Sequence, residues 1–497
     1  MTRKSRIGRY AALFVAIWGT AGRGAEGVRE SWDAIYIAGQ RVGYFHTAVT
    51  PLEEKGKPYA RVQVDMSLTF KRGRDLVTID TLYGTIESPE GQVLRLDSRT
   101  AASQTEMRIH GDVENGKMTL TLEGSGEKQK QTIDWGADVR GPYGAEMSMA
   151  RTPMKPGEAR EVKTFIPDLN RVGVAKLNAK EMENIQLGGG VRRDLLKVEQ
   201  VTLVDGKALP GMSQTHWVDA NGQILKSFVD ALGGMETYRT TKEAATRAVP
   251  LNKFDLNEAS MLKVARKITK PYERKEIVYS VTLKDEDAKA VLPTDRRQTL
   301  LPSSENPKMG TLTIKTAGPL AGEPGPEAVD AQYLRANAMI TSNDETVTRL
   351  AKQAVGSETD PWRKAEAIQH WVFQNMKRKN FETAFAAANE VARNLEGDCT
   401  EHAVLTAAMC RAQGVPARVV VGLLYDEPHS SFGFHMWNEV YVNRRWVAID
   451  SAWDQNDVDA VHVKLSEASL DGIAPYETFL SVVRVFNKMT IEPLEIR

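Results

Sequence analysis

The stretch that most constrains the fold begins at Gly397 and predicts a buried helix. Asp398 is a residue type that caps helices, and Glu401 three residues later gives the spacing of a capping box. Gly414 predicts the end of the helix. The positions between them are apolar on nearly every side, which predicts that the helix is buried: they are Ala403, Val404, Leu405, Ala407, Ala408 and Met409.

The first residue of this helix is predicted to be a cysteine, Cys399. Free backbone N–H groups and the helix dipole favour an anion there, and the thiolate is the nucleophilic form of cysteine. Cys410 lies about three turns further on, roughly 16 Å away, so the two cannot form a disulfide within this helix. We interpret Cys410 as an inert core residue. His402, one turn after Cys399, is expected to be packed or hydrogen-bonded rather than to act as a base.

Two strands that follow the helix can bring a histidine and an aspartate together. Side chains alternate along a strand, so His435 and Trp437 share a face. A two-residue turn at Asn443-Arg444 would place Asp450 opposite Trp437, one diagonal step from His435 and within reach of a hydrogen bond. A three-residue turn would put Asp450 on the other face unless a bulge corrects it. A contact between the two side chains therefore predicts the short turn or a bulge.

Four blocks in this order resemble the bacterial transglutaminase-like superfamily. They are Gly397–Ala403, Arg411–Arg418, His435–Val442 and Trp446–Asp450. The resemblance covers roughly residues 331–470 and implies a papain-like cysteine fold with a Cys-His-Asp triad. Matched position by position, it implies that Cys399 is the nucleophile, His435 the base and Asp450 the acid that orients His435. Met436-Trp437-Asn438 departs from the Ala-Trp-Val of the broader family, and this difference is expected to alter the wall of the substrate pocket without changing the triad.

The resemblance implies acyl transfer through a thioester on a glutamine side chain or a peptide bond. His435 takes the thiol proton, or the two rest as thiolate and imidazolium. The Cys399 N–H is expected to be one oxyanion donor, and the sequence does not identify a second. Water would make the enzyme a peptidase or deamidase, whereas a lysine amine would give a cross-link. The sequence lacks a His-Glu-x-x-His or paired-cysteine metal signature, so we expect no metal and no cofactor.

A different class of function is a non-catalytic binding or scaffold protein whose β region binds the partner. Some proteins with this fold have lost the triad. The presence of Cys399, His435 and Asp450 argues for the enzyme, with a protein or peptide as its substrate.

Residues 1–25 have the pattern of a secretory signal peptide. Four basic residues precede an apolar run, Ala11–Trp18, that is too short to span a bilayer. No later segment is long and apolar enough to do so, so we expect no stable membrane insertion after cleavage. The expected location is the periplasm or the medium. Two cysteines exclude a disulfide framework even in an oxidising compartment.

Residues 26–248 predict an antiparallel β domain. Alternation over 62–70 and a turn signal at Asp219–Gly222 are typical of paired strands. Gly111–Lys117 has the spacing of a phosphate loop, but strand patterns flank it, so it predicts a hairpin. The glycines at 188–190 also predict a turn.

Residues 249–330 predict a small β region, with strands at Glu276–Leu283 and Thr311–Lys315, and a Pro/Gly linker. Residues 331–497 are then the transglutaminase-like catalytic domain. The predicted class is α+β. Lys plus Arg equals Asp plus Glu, 65 each, so charge indicates neither nucleic acid nor an anionic surface as a partner.

Overall fold

The computed structural model describes residues 28–497 apart from 103–104, 125–127, 210, 232, 249–253, 379, 381–384 and 473. The expected signal peptide, residues 1–25, lies outside the described residues. Strand predominates over helix, so the α+β class fits the chain only loosely. Within the described ranges, none of the helices combines the length and the apolarity that crossing a bilayer requires.

The N-terminal half forms one large antiparallel sheet of fifteen strands, as the alternating pattern predicted. The strands are β1 (Arg29–Ile37), β2 (Gln40–Glu54), β3 (Lys57–Arg72), β4 (Asp75–Glu87), β5 (Val93–Ala102), β6 (Thr105–Glu114), β7 (Lys117–Glu123), β8 (Gln129–Asp134), β9 (Ala159–Ile166), β10 (Arg171–Gln186), β11 (Arg192–Val204), β12 (Lys207–Ala208), β13 (Gln214–Val218), β14 (Ile224–Val229) and β15 (Met235–Thr240). Their order across the sheet is β8-β7-β6-β5-β4-β3-β2-β1-β15-β14-β13-β11-β10-β9, and β12 pairs with β11. The helices of this half are α1 (Gly144–Arg151) and α2 (Lys242–Ala245).

Three turns predicted in this half are present. The segment with phosphate-loop spacing is the β6–β7 hairpin, whose turn residues Asn115 and Gly116 both have positive φ. Val218 pairs with Ile224 across the second predicted hairpin. Gly188–Gly190 forms one turn of 3-10 helix between β10 and β11.

A four-stranded sheet joins residues that are far apart in the chain. Its strands are β17 (Glu276–Leu283), β18 (Gln298–Pro302), β19 (Met309–Lys315) and β24 (Met489–Ile496), in the order β18-β19-β17-β24. The strands predicted at Glu276–Leu283 and Thr311–Lys315 are present as β17 and within β19. The pairing of β17 with β24 was not predicted. The short helix α4 (Ala288–Val291) packs against β17 and β18, whereas α3 (Leu256–Ser260) packs against β3 of the N-terminal sheet.

The C-terminal region packs helices against a five-stranded sheet. The helices are α5 (Glu345–Val355), α6 (Pro361–Asn375), α7 (Ala388–Asn394), α8 (Cys399–Ala412) and α9 (Leu480–Val485). The strands are β16 (Leu262–Lys263), β20 (Ala417–Asp426), β21 (Ser431–Val442), β22 (Arg445–Ile449) and β23 (His462–Ala468). The order is β16-β21-β20-β23, and β22 pairs with β21. Single turns of 3-10 helix occur at Pro271–Glu273, Ala331–Tyr333 and Pro475–Phe479.

The five-stranded sheet belongs to two hydrophobic cores. Val421 and Met436 pack in one core with the buried residues of α5, α6 and α8. Leu423 and Val463 pack in a second core with β17, β19 and β24. The four-stranded sheet therefore supports the strands that carry the candidate site.

Candidate active site

The start of α8 has the predicted capping box. The Asp398 carboxylate accepts a hydrogen bond from the Thr400 N–H at 2.8 Å, and the Asp398 N–H donates to the Glu401 carboxylate at 3.0 Å. Gly397 has a φ of +136°, and a Cβ there would lie 2.5 Å from the Glu401 side chain. Only glycine therefore fits before the cap, and Cys399 is the first helical residue, as predicted.

Side chains tie α8 to the strand and the loop that carry the rest of the site. The buried Asn438 amide donates to the Ala403 carbonyl at 2.9 Å. Thr406 donates to the Ser451 hydroxyl at 2.8 Å, and Ser451 donates to the His402 carbonyl at 3.3 Å. The His402 ring is buried, and its Nδ1 lies 2.7 Å from the backbone carbonyl of Asp398, the residue that caps α8, as predicted for a packed residue. These bonds fix the distance between α8, β21 and the residue after Asp450.

The β21–β22 hairpin has the short turn that an Asp450–His435 contact requires. Asn443 and Arg444 form it with φ values of 50° and 62°, and the register pairs residue 442 with residue 445. The side chains of His435 and Asp450 consequently lie on one face. His435 Nε2 is 2.6 Å from Asp450 Oδ2, and both residues are buried. The predicted register and contact are therefore present.

The Asp450 carboxylate is held from several sides. The Ala452 N–H donates to Oδ1 at 2.7 Å, while the backbone of Asp450 pairs with Gln455 in both directions. Burial alone would raise the pKa of Asp450, but His435 and His462 oppose that effect by charge and hydrogen bonding and hold it well below its usual value. Asp450 is thus an anion whose orientation is fixed.

The thiol of Cys399 lies against the strand that carries His435. The Met436 backbone N–H donates a hydrogen bond to it. Burial raises the pKa of Cys399 well above its usual value, and the nearby Asp398 carboxylate raises it further, whereas the Met436 bond and the Arg72 guanidinium lower it. These surroundings favour the neutral thiol, in contrast to the effect expected from the helix N-terminus alone.

Arg72 comes from the N-terminal sheet and was not predicted as part of the site. It is the last residue of β3, and its guanidinium lies 3.0 Å from the Asp398 carboxylate, whose side chain is only 5% exposed. The two residues are 326 positions apart. No pattern within either segment indicates this contact.

His462 is a second residue of the site that sequence reasoning missed, since it lies outside the four blocks that carry the family resemblance. It is the first residue of β23 and is fully buried. Its Nε2 lies 3.1 Å from Asp450 Oδ2, the oxygen that also contacts His435, and its Nδ1 lies 2.8 Å from Asp459 Oδ1. Asp459 three residues before His462 is the one local signal of this arrangement.

The three groups around Asp450 also have a spacing that a metal site could have. The ring nitrogens of His435 and His462 and the Asp450 oxygen lie within 4.8 Å of one another. Their nitrogen–oxygen separations of 2.6 and 3.1 Å are hydrogen-bond lengths, and both nitrogens face one oxygen. We therefore assign the group as a hydrogen-bonded cluster.

Cys410 has the environment predicted for an inert residue. It is fully buried in α8, and neither cysteine is in a disulfide. Burial raises the pKa of Cys410 to about 12. It therefore remains a neutral thiol at physiological pH and offers a control for the reactivity of Cys399.

Comparison with known proteins places the likeness in this region of the chain. Residues 348–451 match the family model of the transglutaminase-like superfamily. An uncharacterized protein of Haemophilus influenzae is 35% identical over 102 residues, which are 19% of this chain and 27% of that protein. The human kyphoscoliosis peptidase is 31% identical over 139 residues, which are 25% of this chain and 20% of the peptidase. The chain thus spans about a quarter or less of either relative.

A solved structure of a candidate cysteine protease from Cytophaga hutchinsonii has a TM-score of 0.30 and 17% sequence identity. The superposition covers 45% of this chain and 87% of the Cytophaga hutchinsonii protein.

Proposed function

We propose that this protein, whose residues 348–451 match the family model of the transglutaminase-like superfamily, is an exported cysteine enzyme. It acts on peptide or glutamine amides through a thioester. The observation that carries the proposal is the 2.6 Å contact between His435 and Asp450 beside a cysteine that begins a capped helix. Cys399 is the nucleophile, His435 the base and Asp450 the residue that orients His435.

His435 is the residue that activates the thiol. Because the surroundings of Cys399 favour the neutral thiol, a base must remove its proton during attack. Nε2 of His435 is engaged with Asp450, which leaves Nδ1 as the nitrogen for this proton. The negative charge of Asp450 stabilises the imidazolium that forms.

The thiolate sulfur then attacks the amide carbonyl carbon, and the carbonyl oxygen becomes an oxyanion. The Cys399 N–H belongs to the first turn of α8, whose N–H groups lack an acceptor within the helix, so it is suited to donate to this oxyanion. The carbon–nitrogen bond breaks as the His435 imidazolium returns its proton to the departing amine. The acyl group remains on Cys399 as a thioester, which water or a primary amine releases.

The experiment that tests the proposal is product analysis with a glutamine-containing peptide, with and without an added primary amine. An amine adduct identifies transamidation, a deamidated peptide identifies side-chain hydrolysis, and a shortened peptide identifies a peptidase. All three products form through the thioester, so mass spectrometry of the intact protein should detect the acyl group on the enzyme in each case.

Two variants locate the reaction. We expect Cys399→Ala to abolish product while the protein stays folded, because the nucleophile is lost. Cys410→Ala is the matched control and should keep its activity, since Cys410 is a buried thiol within the same helix. Equal losses in the two variants, or product formation by Cys399→Ala, would contradict the assignment.

The proposal includes export, because the basic and apolar pattern of residues 1–25 is that of a signal peptide. Sequencing the N-terminus of the protein recovered from the periplasm or the medium tests this. A protein found only in the cytoplasm with its first residues intact would contradict it.

A further inference from the structure

Asp450 lies between two buried histidines. Oδ2 of Asp450 is 2.6 Å from His435 Nε2 and 3.1 Å from His462 Nε2, and His462 Nδ1 continues to Asp459 Oδ1 at 2.8 Å. The four side chains therefore form a row from Asp459 through His462 and Asp450 to His435. Each is less than a tenth exposed, and His462 is fully buried.

The hydrogen bonds of this row determine how many protons His462 carries. A neutral imidazole has one N–H, and an ionised carboxylate only accepts. Both ring nitrogens of His462 face a carboxylate oxygen. In a neutral ring, the lone pair of the unprotonated nitrogen would point at a lone pair of one of these oxygens, which is repulsive. N–H groups face both oxygens of each carboxylate. The Ala452 N–H donates to Asp450 Oδ1, opposite the oxygen that faces the two histidines, while Asp459 accepts from the Val461 N–H at Oδ1 and from the Gln455 amide at Oδ2. Both carboxylates are therefore ionised and act only as acceptors. His462 is consequently a doubly protonated imidazolium.

The electrostatic surroundings agree with this count. Burial lowers the pKa of His462, but the Asp459 and Asp450 carboxylates outweigh it and raise the pKa above its usual value. The titratable members of the row come from β21 (His435) and from the segments after β22 (Asp450) and before β23 (Asp459). Three further titratable groups lie near Asp459: Arg297 before β18, Tyr279 on β17 and Tyr272. Arg297 directs its guanidinium to the backbone carbonyl of Asp459 at 2.6 Å.

Trp437 restricts the remaining freedom of the two rings. Its indole meets the His462 ring edge-on at 5.3 Å between centroids and stacks on the His435 ring at 6.0 Å. The two imidazoles are 5.5 Å apart. The cation on His462 is therefore close enough to act on the charge of His435 directly, because both rings and Trp437 are buried and solvent screens the interaction little.

We propose that His462 is a positioning residue of the site, which holds Asp450 in place and limits how strongly Asp450 stabilises the protonated form of His435. This deepens the proposed function and rests on it for its chemical meaning. One N–H of His462 shares the oxygen that His435 uses, which fixes the carboxylate plane. Its positive charge offsets part of the Asp450 charge that acts on His435.

The test measures the reactivity of Cys399, which needs no substrate. The full-length protein with Cys410→Ser carries a single thiol, and its alkylation by iodoacetamide is followed from pH 5 to pH 10. His462→Gln keeps a hydrogen-bond donor but removes the charge. We expect the acid limb of the profile to move to higher pH by roughly half a unit or more, because His435 then holds its proton more tightly.

Two further variants keep the test decisive. Asp459→Asn still accepts from His462 but removes the carboxylate that keeps the ring protonated, so it should shift the limb in the same direction. His216→Gln is the matched control, since His216 is a buried histidine whose ring bonds to the uncharged Ser227 and Gln200. It should leave the profile unchanged. A profile that does not move in His462→Gln and Asp459→Asn overturns the proposal.

A measurement on the unaltered ring covers the case in which these variants do not fold. Nitrogen-15 NMR of the imidazole groups should show both nitrogens of His462 protonated at pH 7.5, and a neutral ring overturns the proposal. The two hypotheses fail separately. Absence of any thioester or amide product defeats the proposed function while a shifted alkylation profile still supports the role of His462. An amide product with an unshifted profile defeats the role of His462 alone.

Discussion

Cys399 is subject to opposing influences that act within a few ångströms of its sulfur. The helix N-terminus, the Met436 N–H and the Arg72 guanidinium favour the thiolate, whereas burial and the Asp398 carboxylate favour the thiol. Burial is the largest of these effects. A cysteine in such surroundings depends on a neighbouring base to form the thiolate. In the proposed function that base is His435, so the residues that contact His435 matter for the reaction as much as Cys399 does.

Asp450 is the residue whose substitution tests that dependence. Asp450→Asn keeps the size of the side chain but removes its charge and favours the wrong tautomer of His435. We expect the specific rate to fall by roughly one to three orders of magnitude, less than in serine proteases because a thiol ionises more readily than a hydroxyl. The rate per folded molecule and the thermal stability should be measured on one preparation.

The control for this variant is Asp457→Asn, which alters a partly exposed ion pair with Lys275 in the same loop and should keep its rate. If Asp450 only stabilises the turn before Ser451, stability falls and the specific rate stays near that of the wild type. That result would remove Asp450 from the triad.

Glu146 on α1 gives a prediction about pH and stability. Burial raises the pKa of its carboxyl to about 7, against a usual value of 4.5, and its Oε2 atom has no hydrogen-bond partner in the part of the chain that the structure describes. The folded state therefore binds this proton more tightly than the unfolded state. Its contribution to the unfolding free energy falls as pH rises from about 4.5 to about 7 and is constant above that.

Glu146→Gln should remove this loss of unfolding free energy at high pH, because glutamine does not ionise. At pH 8 we expect the variant to be more stable than the wild type by up to about 3 kcal/mol, at about 1.4 kcal/mol per pKa unit, with little difference at pH 4. Denaturant unfolding of both proteins at each pH measures it. An advantage that is the same at both pH values would contradict buried ionisation as its cause.

The β21–β22 hairpin is the element whose register brings His435 and Asp450 together. Inserting one glycine after Arg444 would lengthen the turn to three residues and move Asp450 to the opposite face. We expect the specific rate to fall at least as far as in Asp450→Asn, while the large N-terminal sheet stays folded. Activity assays and circular dichroism measure the two effects.

The matched control inserts one glycine after Gly116 in the β6–β7 hairpin, which lies in the N-terminal sheet. This insertion should leave the specific rate near that of the wild type. Retained activity after the insertion at Arg444 would mean that a bulge restores the register, or that Asp450 does not orient His435.

Elements with short-range signals could be predicted from the sequence. The cap of α8 depends on Asp398 and Glu401, and the start of α6 depends on Asp360 followed by a proline. The register of β21 and β22 depends on the length of one turn. In each case the residues that determine the structure lie within a few positions of one another, so their pattern is visible in a single sequence.

Contacts between distant segments could not be predicted in this way. His462 reaches Asp450 because β23 pairs with β20, and Arg72 reaches Asp398 because the β3–β4 hairpin packs on the C-terminal region. Neither the segment around His462 nor the segment around Arg72 carries a sequence pattern that predicts which residue it contacts. Both contacts depend on how the sheets of the whole molecule are placed, which local periodicity does not encode.

The ion pair between Arg72 and Asp398 makes the N-terminal sheet part of the site. In Arg72→Ala the Asp398 carboxylate would act on Cys399 without the opposing guanidinium, which raises the pKa of the thiol further. We expect alkylation of Cys399 at pH 8 to slow by roughly threefold or more in the protein with Cys410→Ser. The neighbouring Arg74→Ala, which alters an exposed side chain in the same turn, is the control.

Equal rates in the Arg72 and Arg74 variants would show that the N-terminal sheet does not influence the thiol. A lower melting temperature in Arg72→Ala with an unchanged rate would assign the ion pair to stability alone.

The pairing of β17 with β24 has a consequence for the order in which the molecule assembles. Leu283 is paired with Met489, so this sheet closes a loop of roughly 200 residues. Contacts between residues so far apart in the chain form slowly during folding. The core beneath β20 and β23 contains Ile491 from β24 and is incomplete until that strand arrives. A ribosome that has not yet translated residue 489 therefore carries a chain whose cysteine has no finished site around it. Synthesis itself would delay the onset of the proposed thiol chemistry until β24 has been made.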